Sequence, residues 1–327
     1  MNDSSFLGKN ILLLYARFFG YDQKVKETLE SLGAHVDLFD ARANINAFEK
    51  ALKKITRCFY VKKQRRFHRL IANKMKGTRI DYIFSNEYLD SFVLDFYKKQ
   101  FPMAKFVLYM DDSVANFHGI ESTFSQYDRI LTFDRLDSKQ YGLIFRPLFY
   151  CDCFNCFENT KTEYDVSFVG TCHSDRVVIL DAFKKKYSFL KTFFYCYMPS
   201  KFVFRYYKLK DKAFKNKSKK DFQYKSLSLE NTAQVMKASK AILDIHHPKQ
   251  SGLTMRSIEA FGCHKKLITT NKDIINYDFY NPDDICIIDR NNPAVDELFF
   301  KKDVSKSNKD LHHKYSLIGW IEDVFLF

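Results

Sequence analysis

Two α/β domains, each a parallel sheet carrying helices, are what this sequence predicts. Three observations lead there. Short apolar runs alternate with segments of helical spacing along most of the chain. The alternation stops in an aperiodic stretch, residues 150–163, and restarts at Asp165. At 327 residues the chain is long enough for two hydrophobic cores.

The elements follow in order. Asn10–Tyr15 is an opening strand, and Asp22–Leu32 is a helix ended by Gly33. His35–Phe39 is the next strand. A long basic helical stretch leads to a strand at Asp81–Phe84. Residues 89–100 are helical until Pro102 breaks the spacing. Lys105–Met110 and Ile130–Phe133 are strands, and Leu143–Phe145 is a further short one. After the aperiodic stretch, Asp165–Val169 is a strand closing in Gly170-Thr171, and residues 174–186 are a helix carrying Arg176. Phe189–Tyr195 is a strand, followed by a basic insertion and a helix at Leu229–Ala238. Ala241–Ile245, a loop, a helix ending at Gly262, and Lys266–Thr270 make a βαβ unit whose strands are parallel. Ile285–Ile288 is a late strand, and His313–Phe327 is an amphipathic helix containing Trp320. Strands alternating with helices in this way form Rossmann-like sheets. The predicted domains are 1–155 and 156–327, facing a cleft, with the last helix free to cross back to the first domain. Clefts between such domains are common ligand sites.

Composition narrows the class. Apolar residues make up 46% of the chain, as in ordinary globular proteins. No run of 18 uncharged apolar residues exists, and the first residues lack a basic segment and a small-residue cleavage site. A cytoplasmic location is therefore expected. The net charge of +14 is concentrated: residues 50–79 hold twelve Lys or Arg and no acid, and residues 199–220 hold nine against Asp211. No zinc finger, RNA-recognition signature or helix-turn-helix organises these patches for nucleic acid. In the first patch Phe67, Leu70, Ile71 and Met75 recur at helical spacing among Lys62, Lys63, Arg65, Arg66, Arg69 and Lys74. That segment reads either as a helix resting on an anionic membrane surface or as a packed helix with a solvated basic face. Cys151, Cys153 and Cys156, with Cys172 and His173, are compatible with a zinc set. Their irregular spacing and aromatic surroundings favour linker and core cysteines, so no metal site is expected.

The chemistry is expected where strands end. Ligands of parallel sheets sit beyond the carboxyl ends of the strands, at loops leading into helix N-termini. The loop from His246 to Thr254, with His247, Lys249, Gln250 and Gly252, is at that place. Its helix offers first-turn N–H groups to an anion, and Arg256 adds a fixed cation with a forked donor set. Glu259 lies three residues on, so the two side chains share a helix face. A cation for phosphates and a carboxylate for ribose hydroxyls suit a nucleotide-sugar; the competing reading is a surface ion pair between them. Gly170, Thr171 and Arg176 end the restarted strand and open its helix, and belong to the same candidate set. In the first domain, Asp111-Asp112-Ser113 ends one strand and Asn86-Glu87 another, with Asn116 and His118 nearby. Asp112 or Glu87 is placed to accept a proton from an acceptor hydroxyl. Capping of a helix by Asp112 or Ser113 is the alternative.

These segments carry a resemblance. Phe106–Ser113, Asp165–Gly170, Gly252–Gly262 and Lys266–Asn271, with the Trp320 terminus, resemble bacterial capsule and lipopolysaccharide biosynthesis glycosyltransferases of the GT-B type, allied to the spore-maturation glycosyltransferase group. The resemblance spans most of the chain and is strongest over 164–290. It implies two Rossmann-like domains and metal-independent glycosyl transfer without a cofactor. The nucleotide-sugar would bind the C-terminal domain through Gly170, Arg256 and Glu259. Where such segments carry tryptophan before the aspartate, this chain has Asp111. The expected partners are a nucleotide-sugar donor and a glycan or lipid-linked glycan acceptor, with no nucleic acid. Two other readings stand beside this one: a non-catalytic binding protein of a membrane glycan-assembly complex, and a nucleotide-sugar epimerase. The absence of G-x-G-x-x-G after the first strand argues against a dinucleotide-dependent oxidoreductase.

Overall fold

The computed structural model describes residues 5–44, 57–117, 119–155, 160–248, 250–305 and 308–327. Cys156, His118 and Lys249 lie outside these described residues. The chain forms two compact units, Met1–Pro147 with Trp320–Phe327, and Leu148–Gly319.

The first unit contains β1 (Asn10–Leu14), α1 (Tyr21–Ser31), β2 (His35–Phe39), α2 (Arg57–Lys74), β3 (Tyr82–Ser85), α3 (Ser91–Gln100), β4 (Lys105–Met110), β5 (Arg129–Thr132), α4 (Arg135–Tyr141) and β6 (Ile144–Phe145). Its strands pair in the order β2-β1-β3-β4-β5-β6, all parallel. A central parallel strand is covered on both faces and must be apolar throughout. Ile11–Leu14 meet that demand, none more than 1% exposed. The helix α4 was not expected from the sequence. Asp134 starts it by accepting the N–H groups of Leu136 and Asp137 at 2.8 and 3.4 Å. Gly142 ends it at φ 65°, a conformation glycine adopts without cost.

The basic stretch is a packed helix. Of the four apolar residues that recur there at helical spacing, Ile71 and Met75 are buried in the core of this unit, Phe67 packs against it, and Leu70 is exposed. Two of its arginines are engaged as well. Arg65 pairs with Asp90 at 2.7 Å and lies over the Phe92 ring, and Arg69 covers the same ring. His68 sits between Tyr97 Oη and the carbonyl of Ala41, both at 3.1 Å, and burial lowers its pKa to about 4.

The second unit contains β7 (Tyr164–Thr171), α5 (Arg176–Lys186), β8 (Thr192–Tyr197), α6 (Lys201–Lys210), α7 (Leu229–Lys237), β9 (Ser239–Asp244), α8 (Met255–Gly262), β10 (Lys266–Thr269), β11 (Ile285–Ile287), α9 (Glu297–Lys301) and α10 (Lys309–Tyr315). The order is β11-β10-β9-β7-β8, again all parallel. In both sheets the first strand sits between the second and the third. That order reverses direction between β1 and β3, and between β7 and β9, and such a reversal is where open α/β sheets bind ligands.

The terminal helix expected over His313–Phe327 is two helices. Ser316 adopts an extended conformation after α10, and its hydroxyl accepts the N–H of Gly319 at 3.1 Å, so it starts α11 (Leu317–Phe325). Within the first unit Trp320 is fully buried, its ring 4.9 Å from that of Tyr109 and 5.9 Å from that of Phe84.

Candidate functional site

The reversal point of the second sheet is built by two arginines. Pairing of β7 with β9 runs from Tyr164 to Ser167 and then stops. Beyond it the strands diverge, and carbonyls on the diverging edges need donors from elsewhere. Arg256, near the start of α8, gives its Nε–H to the carbonyl of Val169 at 2.7 Å. Arg176, at the start of α5, spans the gap, donating to the carbonyls of Ile245 and Thr171 at 2.7 and 2.8 Å. Arg176, Thr171 and Arg256 thus meet where these two strands part.

Arg256 is held on three sides. Its Nη1 pairs with Asp244 at 2.8 Å, and its guanidinium lies 4.7 Å from the Phe168 ring centre. The third side is Gly170. A Cβ there would sit 2.1 Å from Nη2 of Arg256, so only glycine lets the guanidinium pass. The ion pair of Arg256 is therefore with Asp244, not with Glu259 as the sequence spacing allowed. Asp244 is fully buried at the end of β9 and also accepts the hydroxyls of Thr254 and Ser257, both at 2.9 Å. Thr254 in turn caps α8, taking the N–H of Ser257. Glu259, on the same helix, is 4% exposed.

A third arginine closes the site. Arg290, beyond β11, pairs with Asp175 at 2.7 Å and donates to the carbonyl of His246 at 2.7 Å. His246 also bonds Thr270 Oγ1 through Nδ1 at 2.9 Å. Burial, then the neighbouring arginine (Arg290 for His246, Arg176 for His173), lowers both histidines to about 4. Both rings are neutral at pH 7 and act as hydrogen-bonding groups, not charges. Burial also lowers Arg176 to about 10, with Arg256 adding to the effect, and Arg176 stays charged at neutral pH. Three guanidiniums against the carboxylates of Asp244 and Asp175, beside the positive end of α8, make a place for a polyanion. The loop is fixed from β10: Asn271 Nδ2 donates to the carbonyls of Ser251 and Gly252 at 2.9 and 3.2 Å. Gln250 lies in that loop, half-buried.

The reversal point of the first sheet is acidic and amide-lined. Asn86, after β3, accepts the N–H of Ala16 at 2.7 Å and donates to Asp111 Oδ2 at 2.7 Å. Asp112 turns its Oδ1 to the N–H of Ser113 and to Asn116, at 2.9 and 2.8 Å, so it shapes its own loop. Glu87 lies 3.7 Å from Arg42. Asp111 has the unusual environment: withdrawal from water raises its carboxyl to about 7, the Asn86 bond opposes this, and Glu87 and Asp112 add to it. Of the candidate zinc set, Cys153 is half-buried. Cys151 and Cys172 are buried, and the Cys172 thiol lies against that of Cys196. Among the described residues no His, Cys, Asp and Glu group is arranged to hold a metal ion.

No family model matches this sequence, and no curated protein does. Solved structures do. A glycosyltransferase from Rickettsia africae ESF-5 superposes with a TM-score of 0.50 at 14% identity, over 88% of this chain and 85% of that one. AviGT4, a glycosyltransferase involved in avilamycin A biosynthesis, gives 0.53 at 10% identity, over 96% and 95%. A UDP-GlcNAc 2-epimerase from Methanocaldococcus jannaschii gives 0.50 at 10%, over 96% and 99%. With its two parallel sheets, of six and five strands, the chain has the two-Rossmann-domain fold of GT-B type. That fold serves transferases and an epimerase alike, so the reaction must be argued from the site.

Proposed function

We propose that this protein is a cytoplasmic glycosyltransferase moving a sugar from a nucleotide-sugar to a growing cell-surface glycan, such as lipopolysaccharide, capsule or a lipid-linked precursor. The observation that carries the reading is Arg256, fixed between Asp244, Val169 and Gly170 at the reversal point of the second sheet. In this reading Nη2 of Arg256 and the N-terminus of α8 meet the diphosphate. They stabilise the charge that grows on it as the acceptor hydroxyl attacks the anomeric carbon. Arg176 and Arg290 keep the field positive. Gly170, Thr171, His246, Gln250, Gly252 and Thr254 line the approach. Fixed cations supply what a metal ion would otherwise supply, so transfer is proposed to be metal-independent.

A thermal-shift screen across nucleoside diphosphates and their sugars tests binding, because a ligand of the native state raises the melting point by mass action. Release of nucleoside diphosphate in the presence of EDTA then tests transfer. Silence across the whole screen would overturn the reading. An epimerase would interconvert the nucleotide-sugar with no acceptor present and release no diphosphate.

Glu259 is proposed to take the ribose hydroxyls through charge-assisted bonds. Glu259→Gln is expected to weaken nucleotide binding by about tenfold and to slow turnover less. Unchanged affinity by calorimetry removes Glu259 from the site.

On the acceptor side, Asp112 and Glu87 were the expected bases, and Asp111 is better poised. A general base works best with a pKa near the working pH. The rate of transfer should bend near pH 7, rising as Asp111 ionises, and Asp111→Asn should lose both the bend and about a hundredfold in rate. A bend that survives in Asp111→Asn assigns the proton to Asp112 or Glu87.

A further inference from the structure

The basic insertion after β8 contains a helix with two apolar faces. Val203, Phe204 and Tyr207 turn one face of α6 into the second unit's core, where Phe204 meets Phe222 and Tyr207 stacks on Phe214. The opposite face carries Phe202, Tyr206 and Leu209, spaced four and three residues apart and therefore aligned along one stripe. They are 77%, 54% and 86% exposed. A helix packed on a globular core by one face normally shows water a polar one. Arg205 borders this stripe, and Lys201 and Lys210 flank it on either side. None of these three has a carboxylate within 4.0 Å among the described residues. These three are thus not consumed internally, unlike Arg65 and Arg69 of α2, whereas Lys217 of the same segment pairs with Asp181 and Lys208 lies over Phe204.

We propose that this face of α6 docks the protein on an anionic bilayer. Phe202, Tyr206 and Leu209 would enter the headgroup region, with Arg205, Lys201 and Lys210 at the phosphates. Charge complementarity selects the occupant, since residues 199–220 hold nine Lys or Arg against Asp211. Each basic residue near an anionic surface adds to the attraction, which salt screens. An acidic glycan or a nucleic acid would satisfy the charge but offers no apolar phase for Leu209, the most exposed of the three. An aromatic-and-leucine stripe edged by basic residues is the pattern of a helix lying in a membrane interface. Docking does not depend on the transfer reaction proposed above.

The test is flotation of the full chain with vesicles of phosphatidylglycerol mixed into phosphatidylcholine, against pure phosphatidylcholine. Wild type is expected to float with the anionic vesicles and to be released by raising salt from roughly 0.1 to 0.5 M. Phe202→Ser with Leu209→Ser should reduce the bound fraction by about tenfold, and Arg205→Glu with Lys210→Glu by a similar factor. The melting point and nucleotide binding should be unchanged in both, because these side chains point away from the core. Leu209→Trp supplies a second readout that needs no loss of function: its emission should shift to the blue with anionic vesicles only, the buried Trp320 staying constant. Failure of wild type to float, equal flotation of the variants, or an unshifted Trp at position 209 each overturns the proposal. So does concentration-dependent self-association lost in Phe202→Ser, which would make the stripe a contact between copies.

Discussion

Arg256→Ala is expected to lower turnover by about a hundredfold or more, the usual cost of removing a donor aimed at developing charge. The same change should also destabilise the second unit. Asp244 is fully buried, and without Arg256 it loses its ion pair and keeps the hydroxyls of Thr254, Ser257 and, at 3.4 Å, Thr269. Removing one partner of a buried pair typically costs about 3–5 kcal/mol, because the other charge is left uncompensated. The two losses can be separated. In the double variant Arg256→Ala, Asp244→Asn, a neutral amide replaces the stranded carboxylate, so denaturant unfolding should recover a substantial part of the stability. Activity should stay lost, since no cation has been restored. Near-wild-type kinetics in Arg256→Ala would remove this residue from the reaction. Full recovery of turnover in the double variant would reduce its role to holding the fold.

The strands were legible because parallel sheets bury both faces of their central strands. Runs such as Ile11–Leu14 and Ala241–Leu243 then have no other use in a soluble domain. The loop–helix at Gly252–Gly262 was legible for a related reason: glycine, a capping threonine and helical spacing coincide there. What escaped is pairing across sequence distance. Asp244 was counted as the polar member of an apolar run, and nothing local says that it meets Arg256 twelve residues on. A lone carboxylate at the end of a buried strand was the available signal, since burial of a charge demands a partner. Arg290 gave less, only its place just past the short β11. Asp111 and Asp112 are adjacent, and nothing local in the sequence tells their environments apart. Their surroundings are set at a distance: Asp111 takes the amide of Asn86, 25 residues away in the chain, while Asp112 turns to its own loop. The helix α4 had its signals, Asp134 and Gly142, but too few apolar positions to show a period over seven residues.

Charge runs leave two readings open. Both basic segments look alike in composition, and their difference lies in what the apolar residues between the cations do. In α2 Ile71 and Met75 enter the core and Phe67 packs on it, with Leu70 left outside, and Arg65 and Arg69 lie on Phe92. In α6 three apolar side chains remain outside. Spacing alone does not say which stripe of a helix faces in when both are apolar.

Gly170→Ala is expected to weaken nucleotide binding by about ten- to a hundredfold while leaving the fold intact. Gly170 lies within β7, and its φ is outside the left-handed region, so alanine meets no backbone penalty there. A glycine within a strand often marks close approach by another group, and here the group is Arg256. The added methyl would stand 2.1 Å from Nη2 and 3.0 Å from Cζ of that side chain. The guanidinium is the end of a flexible chain and can swing aside. In doing so it gives up the Val169 carbonyl, the Asp244 carboxylate and the face of Phe168 that fix it. A displacement of about 1 Å in a positioned group is enough to cost roughly a hundredfold in rate. The variant therefore tests position where Arg256→Ala tests presence. Calorimetry with nucleoside diphosphates and a melting curve on the same sample decide it. Weakened binding, with a melting point lowered less than in Arg256→Ala because the cation stays near the buried Asp244, supports a preorganised arginine. Unchanged affinity would mean that the ligand does not meet Arg256, and the site would have to be sought elsewhere on this sheet.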